Sequence, residues 1–206
     1  LEKMSDKNIK KVGSKKGQCV RGSLLTMEAS GVPQPWNVLE DPGNHPRGAM
    51  VQMIKDNGWK SMGGTPITLE SPYGTVDAGY YSAGEYESLV NSGKIPSGAV
   101  VFQTKHDSWN GTSPGSSGYD MAITQNGGKT LWNGVPIQSP LVYRNTKQII
   151  VLTPDGKSGN GLKSTLNESK DQDSDSDVSS SQWWNPLSWL GSPAHASGSA
   201  SGSSST

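Results

Sequence analysis

The order of two kinds of apolar spacing is the feature that most restricts what this chain can fold into. Helix-type spacing dominates up to residue 93, although short strand-like pieces occur within residues 62–80. Short apolar runs separated by turns follow from residue 95 to residue 153. Helices followed by an antiparallel meander of strands are typical of the α+β class. The sequence therefore predicts an α+β domain with N-terminal helices packed on an antiparallel sheet.

The first predicted helix begins at the only cysteine of the chain, Cys19, and is expected to end at Gly31. The apolar residues between them have the spacing of one helix face: Val20, Leu24, Leu25 and Met27. In the first turn of a helix, unpaired N–H groups and the helix dipole favour a thiolate. Cys19 is therefore a candidate nucleophile. The alternative is a small buried apolar residue, since cysteine is among the most buried residue types.

Two further helices carry local start and stop signals. Pro46 suits the first position of the second helix, which Gly58 should end, and Trp59 should pack back on it. His45 is interpreted as a cap or surface residue. The third helix should begin after Ser82, because Ser82 and Glu85 have capping-box spacing, and should end at Gly93.

Short apolar runs predict strands at residues 65–69, 99–102, 121–124, 129–133, 141–143 and 148–152. Asn126-Gly127-Gly128 is a hairpin signal. The polar segment 103–118 is long for a loop within a compact domain, and such loops often carry function.

The composition divides the chain into three parts. Residues 1–16 form a basic arm, interpreted as a solvated lead-in to the domain at residues 17–155. Residues 156–206 form a Ser-, Gly- and Asp-rich tail that should be disordered, with a Trp-rich island at 183–190. Three tryptophans of the island can dock on the domain, on a partner or at a membrane interface: Trp183, Trp184 and Trp189. His195 lies beyond the island and has no evident role.

Several function classes are disfavoured by composition. The chain has 206 residues, no formal net charge and no run of about 18 apolar residues. The basic arm has no interleaved aromatics, so no nucleic-acid partner is expected. The three histidines are scattered and no CxxC or HExxH motif occurs, so no metal or other cofactor is expected. The N-terminus lacks the apolar stretch of a secretory signal.

The order and spacing of four segments resemble the papain-like NlpC-type and CHAP-type peptidoglycan amidases and endopeptidases. The segments are Gly17-Gln18-Cys19, Gly31-Val32-Pro33, Pro46-Arg47-Gly48-Ala49-Met50 and the stretch from Ile95 to Phe102. The family includes amidase effectors of type VI secretion and phage lysins. The resemblance covers about residues 13–153 and implies a papain-like fold.

The resemblance implies a catalytic histidine where this chain has Asp120. A carboxylate with a pKa near 4 is a weak base toward a thiol, and its charge would raise the pKa of Cys19. One interpretation that keeps catalysis is a rearranged triad, in which Cys19 is the nucleophile, His106 from the preceding loop is the base and Asp120 orients His106. The other is a domain that has lost catalysis. Asn133 falls near the third polar residue of the family, or is simply a turn residue.

The function implied by the resemblance is cleavage of a stem-peptide amide bond of peptidoglycan. The protein would act in the bacterial periplasm or cell wall, carried by a virion or a dedicated secretion system. The tail could contact a virion, a secretion system or an immunity protein. The alternatives are a catalytically inactive papain-like domain that serves as a binding or structural component of a larger particle, and a cysteine-dependent transferase or deamidase acting on protein glutamine.

Overall fold

An antiparallel six-stranded sheet forms the centre of the computed structural model, which describes residues 1–35, 46–109 and 117–157. Strands are numbered in chain order: β1 (Lys60–Ser61), β2 (Thr65–Ser71), β3 (Gly74–Tyr80), β4 (Val100–Thr104), β5 (Tyr119–Gln125), β6 (Thr130–Trp132), β7 (Pro136–Ile137) and β8 (Gln148–Thr153). The order in the sheet is β1-β8-β4-β5-β6-β7, and β2 and β3 form a separate antiparallel hairpin. The α+β class predicted from the sequence is confirmed.

Three helices pack around this sheet: α1 (Cys19–Ala29), α2 (Pro46–Asp56) and α3 (Ala83–Asn91). All three were predicted from sequence, because their ends depend on local signals. Gly31 has a φ of +74°, and the N–H of Val32 behind it donates to the Met27 carbonyl, which closes α1. At α3, Ser82 and Glu85 form both hydrogen bonds of a capping box.

Both faces of the central strands are covered, which explains why every residue of β4 and β5 is buried. Val100 and Phe102 of β4 pack in the same cluster as α1 and α2. Val101, between them, packs in the cluster that contains α3. Successive side chains of a strand point to opposite faces, so one strand supplies two cores. Trp59 is fully buried behind α2, as predicted.

The predicted strand Leu141–Tyr143 is wrong, because this segment has irregular structure. The buried amide of Gln103 takes the place of a neighbouring strand there. Its Oε1 accepts from the N–H of Val142 at 2.9 Å, and its Nε2 donates to the Pro140 carbonyl at 2.8 Å. The backbone groups are therefore satisfied without a ladder, and the segment can curve toward the start of β5, where Tyr143 contacts Tyr119.

The N-terminal arm is not a solvated lead-in as its composition suggested. Met4 is fully buried, and its carbonyl accepts from Gln125 Nε2 at 3.2 Å. Asp6 accepts from the N–H of Asn126, and the N–H of Val12 donates to Thr26 Oγ1. The arm is held by such contacts while its lysine side chains remain exposed.

Three sequence predictions lie outside the described residues: the cap role of His45, the middle of the loop 103–118, and the tail with Trp183, Trp184, Trp189 and His195. Among the described residues, no helix has the length and apolar character needed to cross a bilayer.

Candidate active site

Cys19 is the first residue of α1, as the sequence predicted, and lies at a cleft of about 480 Å³. Its side chain is 2% exposed, so it belongs to both the cleft wall and the core. Gly17, just before it, has a φ of +82°, which a glycine adopts without strain. This turn leads the arm past the helix N-terminus, where the first N–H groups have no intrahelical partner and favour negative charge.

Asp120 meets Cys19 from the second residue of β5. The carboxylate accepts hydrogen bonds from the Cys19 thiol and from the backbone N–H of Met121. Asn133, just after β6, donates from Nδ2 to Asp120 Oδ1 at 2.9 Å. Asp120 and Asn133 are 5% and 7% exposed. Three residues that the sequence singled out, from α1, β5 and the turn after β6, therefore form one buried polar cluster.

Burial changes the chemistry expected of Asp120. Loss of hydration raises the pKa of the Asp120 carboxyl to about 7, and its hydrogen bonds to Asn133, Cys19 and the Met121 N–H only partly oppose that rise. An aspartate exposed to water has a pKa near 4 and is therefore a weak base toward a thiol. A general base works best when its pKa lies near the working pH, so the buried carboxylate is much better suited to accept a thiol proton.

Close contacts of α1 with β5 and β6 hold this cluster together. Ser23 Oγ donates to the Met121 carbonyl at 3.0 Å, and Trp132 Nε1 donates to Thr26 Oγ1 at 2.9 Å. Gly22 lets the helix approach the turn after β6, because a Cβ there would lie 2.2 Å from the Asn133 carbonyl oxygen. The missing side chain thus allows Cys19 and Asn133 to reach the same carboxylate.

Tyr143 is a cleft residue that the sequence analysis did not identify as part of the site. Its hydroxyl donates to the Tyr119 carbonyl at 3.0 Å. Burial raises the pKa of Tyr143, and the nearby acidic groups of Asp120 and Cys19 raise it further. The hydroxyl is therefore a neutral donor at physiological pH. The sequence carried no signal for this role, since Tyr143 reaches the site only through the curved segment that Gln103 holds.

His106 is placed differently from the rearranged triad. Its Nε2 donates to the Ser117 carbonyl at 2.6 Å, and its ring centroid lies 4.9 Å from that of Tyr119. Tyr119 and Asp120 are neighbours on a strand, so their side chains point to opposite faces. His106 is accordingly directed away from the carboxylate, and none of the described residues that line the cleft is a histidine. The structure brings Cys19, Asp120 and Asn133 together without His106.

Within the described ranges no cluster of three or more histidine, cysteine or acidic residues could hold a metal ion. Comparison of the chain with protein-family models, curated proteins and solved structures finds no match.

Proposed function

We propose that this protein hydrolyses an amide bond through Cys19, with Asp120 as the general base. One observation carries the proposal: a thiol at a helix N-terminus is hydrogen-bonded to a buried carboxylate whose pKa is about 7, beside an open cleft. Both the nucleophile and its proton acceptor have environments suited to nucleophilic catalysis. In this proposal Asp120 takes the place that the sequence analysis gave to His106.

The reaction begins when the Asp120 carboxylate accepts the thiol proton and the Cys19 sulfur attacks the amide carbon. Negative charge then develops on the carbonyl oxygen near the N-terminus of α1, where backbone N–H groups stabilise it. The protonated Asp120 transfers its proton to the departing amine, leaving a thioester on Cys19. Water, deprotonated by the same carboxylate, releases the acid product and restores the thiol. Asn133 holds Asp120 in position throughout by donating to Oδ1.

The substrate proposed is a stem-peptide amide bond of peptidoglycan. Support comes from the resemblance of residues 13–153 to papain-like NlpC-type and CHAP-type enzymes and from the α+β arrangement of N-terminal helices on an antiparallel sheet. A papain-like fold and action in the bacterial cell wall after virion-borne or dedicated secretion belong to this proposal.

Purified sacculi incubated with the full chain test the proposal. We expect the wild type to release soluble muropeptides with new amino groups, and Cys19→Ala to release none. Cys19→Ser, which keeps the shape of the side chain but is a far weaker nucleophile, should also be inactive. Matching thermal stabilities of the three proteins would show that folding is preserved. Equal release by wild type and Cys19→Ala would overturn the proposal.

A non-catalytic papain-like binding domain is the second candidate. The 2% exposure of Cys19 and the carboxylate at the family's histidine position favour it. This candidate predicts that wild type and Cys19→Ala bind sacculi equally and that neither releases fragments. Thiol alkylation separates the two candidates. A Cys19 activated by Asp120 should approach its full alkylation rate near pH 7, when Asp120 ionises, whereas an unactivated thiol should keep reacting faster up to about pH 8.5.

A further inference from the structure

The N-terminal arm lies along the outside of α1 and ends at the cleft. The N–H of Lys10 donates to Ser30 Oγ at 3.0 Å, just after the C-terminal end of the helix. The hydroxyl of Ser14 donates to the Gln18 carbonyl at 3.2 Å, just before its N-terminal end. The arm therefore follows the whole helix, which is about 16 Å long, toward Cys19.

Four exposed lysines of this stretch, called the basic row here, carry positive charge that no acidic neighbour balances. They are Lys10, Lys11, Lys15 and Lys16. None of the four forms a salt bridge with a described residue. Lys11 Nζ lies 5.3 Å from the centroid of the Trp132 ring, and Lys15 and Lys16 line the cleft. The basic row therefore leads directly to the cleft.

The sequence beyond the described residues carries the opposite charge. Residues 1–157 contain 16 basic and 13 acidic residues, whereas residues 158–206 contain two basic and five acidic residues. Four of those five, called the acidic segment here, occupy alternate positions: Asp171, Asp173, Asp175 and Asp177. Alternate side chains of an extended chain project to the same side, so this spacing suits four carboxylates in a line of about 20 Å. Residues 10–16 span the same number of positions as residues 171–177.

The tail leaves the domain near the start of the arm. Leu1 packs on the cluster that contains Val151 of β8, the last strand before the tail. Burial lowers the pKa of the Leu1 amino group, and the nearby charge of Asp155 partly opposes this. The chain between Lys157 and Asp171 can span up to about 50 Å. The acidic segment can therefore follow the arm in the same direction and reach the basic row.

The order of features in the tail also matches the order on the surface. The Trp-rich island begins at Trp183, six positions after Asp177. Beside Lys15 and Lys16 the cleft has an apolar wall, formed by Val135, Ile137 and Val142, and Val135 is 36% exposed. Tryptophan side chains gain much by burial against such a wall. An acidic segment followed by an aromatic one thus corresponds to a basic row followed by an apolar wall.

We propose that the acidic segment binds the basic row of the same chain and that the Trp-rich island then covers the cleft. Charge attraction holds the first part of this strap and apolar burial holds the second. The strap limits access to Cys19 and leaves when the charge attraction is weakened. The proposal concerns access to the thiol, so it holds whether or not Cys19 hydrolyses an amide.

Carbodiimide crosslinking of the full chain tests the first contact, because this reagent joins carboxylates to lysines that touch them. We expect mass spectrometry to find links between residues 171–177 and the basic row at about 50 mM salt. The links should be at least about threefold fewer at about 500 mM salt. In an equal mixture of isotopically labelled and unlabelled protein, each link should join peptides of the same label. Links that mix the labels would place the tail on a second copy and overturn the proposal.

Charge reversal assigns the contact to the basic row. Lys10→Glu combined with Lys15→Glu should reduce the links to Lys11 and Lys16 at least about threefold. The matched control, Lys94→Glu with Lys129→Glu, makes the same change of net charge at exposed lysines outside the arm and the cleft, and should keep the links. No links in the wild type, or equal loss in both double variants, would overturn the proposal.

Alkylation of Cys19 by neutral iodoacetamide tests whether the strap covers the cleft. Replacing the four aspartates of the acidic segment by asparagine should make alkylation roughly three- to tenfold faster at the same pH. Replacing Trp183, Trp184 and Trp189 by alanine should also accelerate it while the crosslinks remain. The matched control, Ser174→Ala with Ser176→Ala, changes the same segment without changing its charge and should react like the wild type. Equal alkylation rates in all these proteins would overturn the proposal.

These measurements are independent of the proposed function. Crosslinks within one chain and faster alkylation of the tail variants, together with no muropeptide release by any of these proteins, would reject the hydrolase and keep the strap. Muropeptide release by a wild type that shows neither crosslinks nor protection of Cys19 would reject the strap and keep the hydrolase.

Discussion

The polar cluster of Cys19, Asp120 and Asn133 and the surroundings of His106 lie on either side of the start of β5. The cluster is buried and held by residues of α1, β5 and the turn after β6. His106 is part of a loop, bonded to a backbone carbonyl of the same loop and packed on Tyr119. Histidine, the residue type that appeared better suited to catalysis, thus lies outside the buried cluster that contains Cys19. The comparison teaches that burial can give a carboxylate the acid–base range that a histidine has in water.

The largest expected effect is on activity when Asp120 is replaced. Asp120→Asn keeps an acceptor for Asn133 but cannot take the thiol proton, so muropeptide release should fall roughly 10²–10⁴-fold. His106→Ala should change the rate by about twofold at most, because it removes a contact outside the cleft. The wild-type rate at low substrate should rise with pH through about 7 as Asp120 ionises.

The reverse ranking, with His106→Ala inactive and Asp120→Asn active, would restore the rearranged triad. Asp120→His sharpens the comparison because it places an imidazole where the resembling family has one. Its rate should exceed that of Asp120→Asn if this position is where the proton acceptor works.

The second largest expected effect is on the free energy of unfolding, which should depend on pH because of Asp120. Its pKa of about 7 in the folded protein lies above the ordinary value of 3.8, so the folded state binds the proton more tightly than the unfolded state. The free energy of unfolding should therefore fall as the pH rises from about 4 to about 7, by on the order of 4 kcal/mol from this group. Thermal unfolding of wild type and Asp120→Asn across this range measures the effect.

Asp120→Asn is the control that isolates this contribution, since other groups titrate equally in both proteins. We expect the melting temperature of the variant minus that of the wild type to increase by on the order of 10 °C from pH 4 to pH 8. Parallel pH profiles would mean that the carboxyl is hydrated and has an ordinary pKa, which would also remove the argument for Asp120 as the base.

The smallest expected effect concerns the close approach of α1 to the turn after β6, which brings Cys19 and Asn133 to Asp120. Gly22→Ala places a Cβ 2.2 Å from the Asn133 carbonyl oxygen, so α1 must shift, at a cost of about 1–3 kcal/mol of stability and with a loss of activity. Gly84→Ala is the matched control, because Gly84 is also helical but its Cβ would meet nothing within 4 Å. That variant should be stabilised by up to about 1 kcal/mol with unchanged activity.

Urea unfolding of both glycine variants, alongside muropeptide release, measures this contrast. A stable and fully active Gly22→Ala protein would show that the position of α1 against the turn after β6 is not what brings Asn133 to Asp120.

Helix and strand positions were largely readable from the sequence because their signals are local. The capping box at Ser82, the left-handed Gly31 and the hairpin signal Asn126-Gly127-Gly128 each act within a few residues. The strand predictions did not include β1, β3 or β7 as separate strands, and they wrongly included Leu141–Tyr143, where apolar residues suggested a strand. There the side chain of Gln103, which lies 39 positions earlier than Val142, satisfies the backbone instead, and no local pattern encodes such a partner.

For the site, the sequence by itself determined the residue types: one cysteine at a helix start, an aspartate where the resemblance implies histidine, and an asparagine after the next strand. Only the tertiary structure decided which of them meet and what their protonation behaviour is. Proximity depends on the contact of Gly22 with the turn after β6, between residues far apart in the chain. The pKa of Asp120 depends on the removal of water by the surrounding elements, which is a property of the packed molecule and not of the residue.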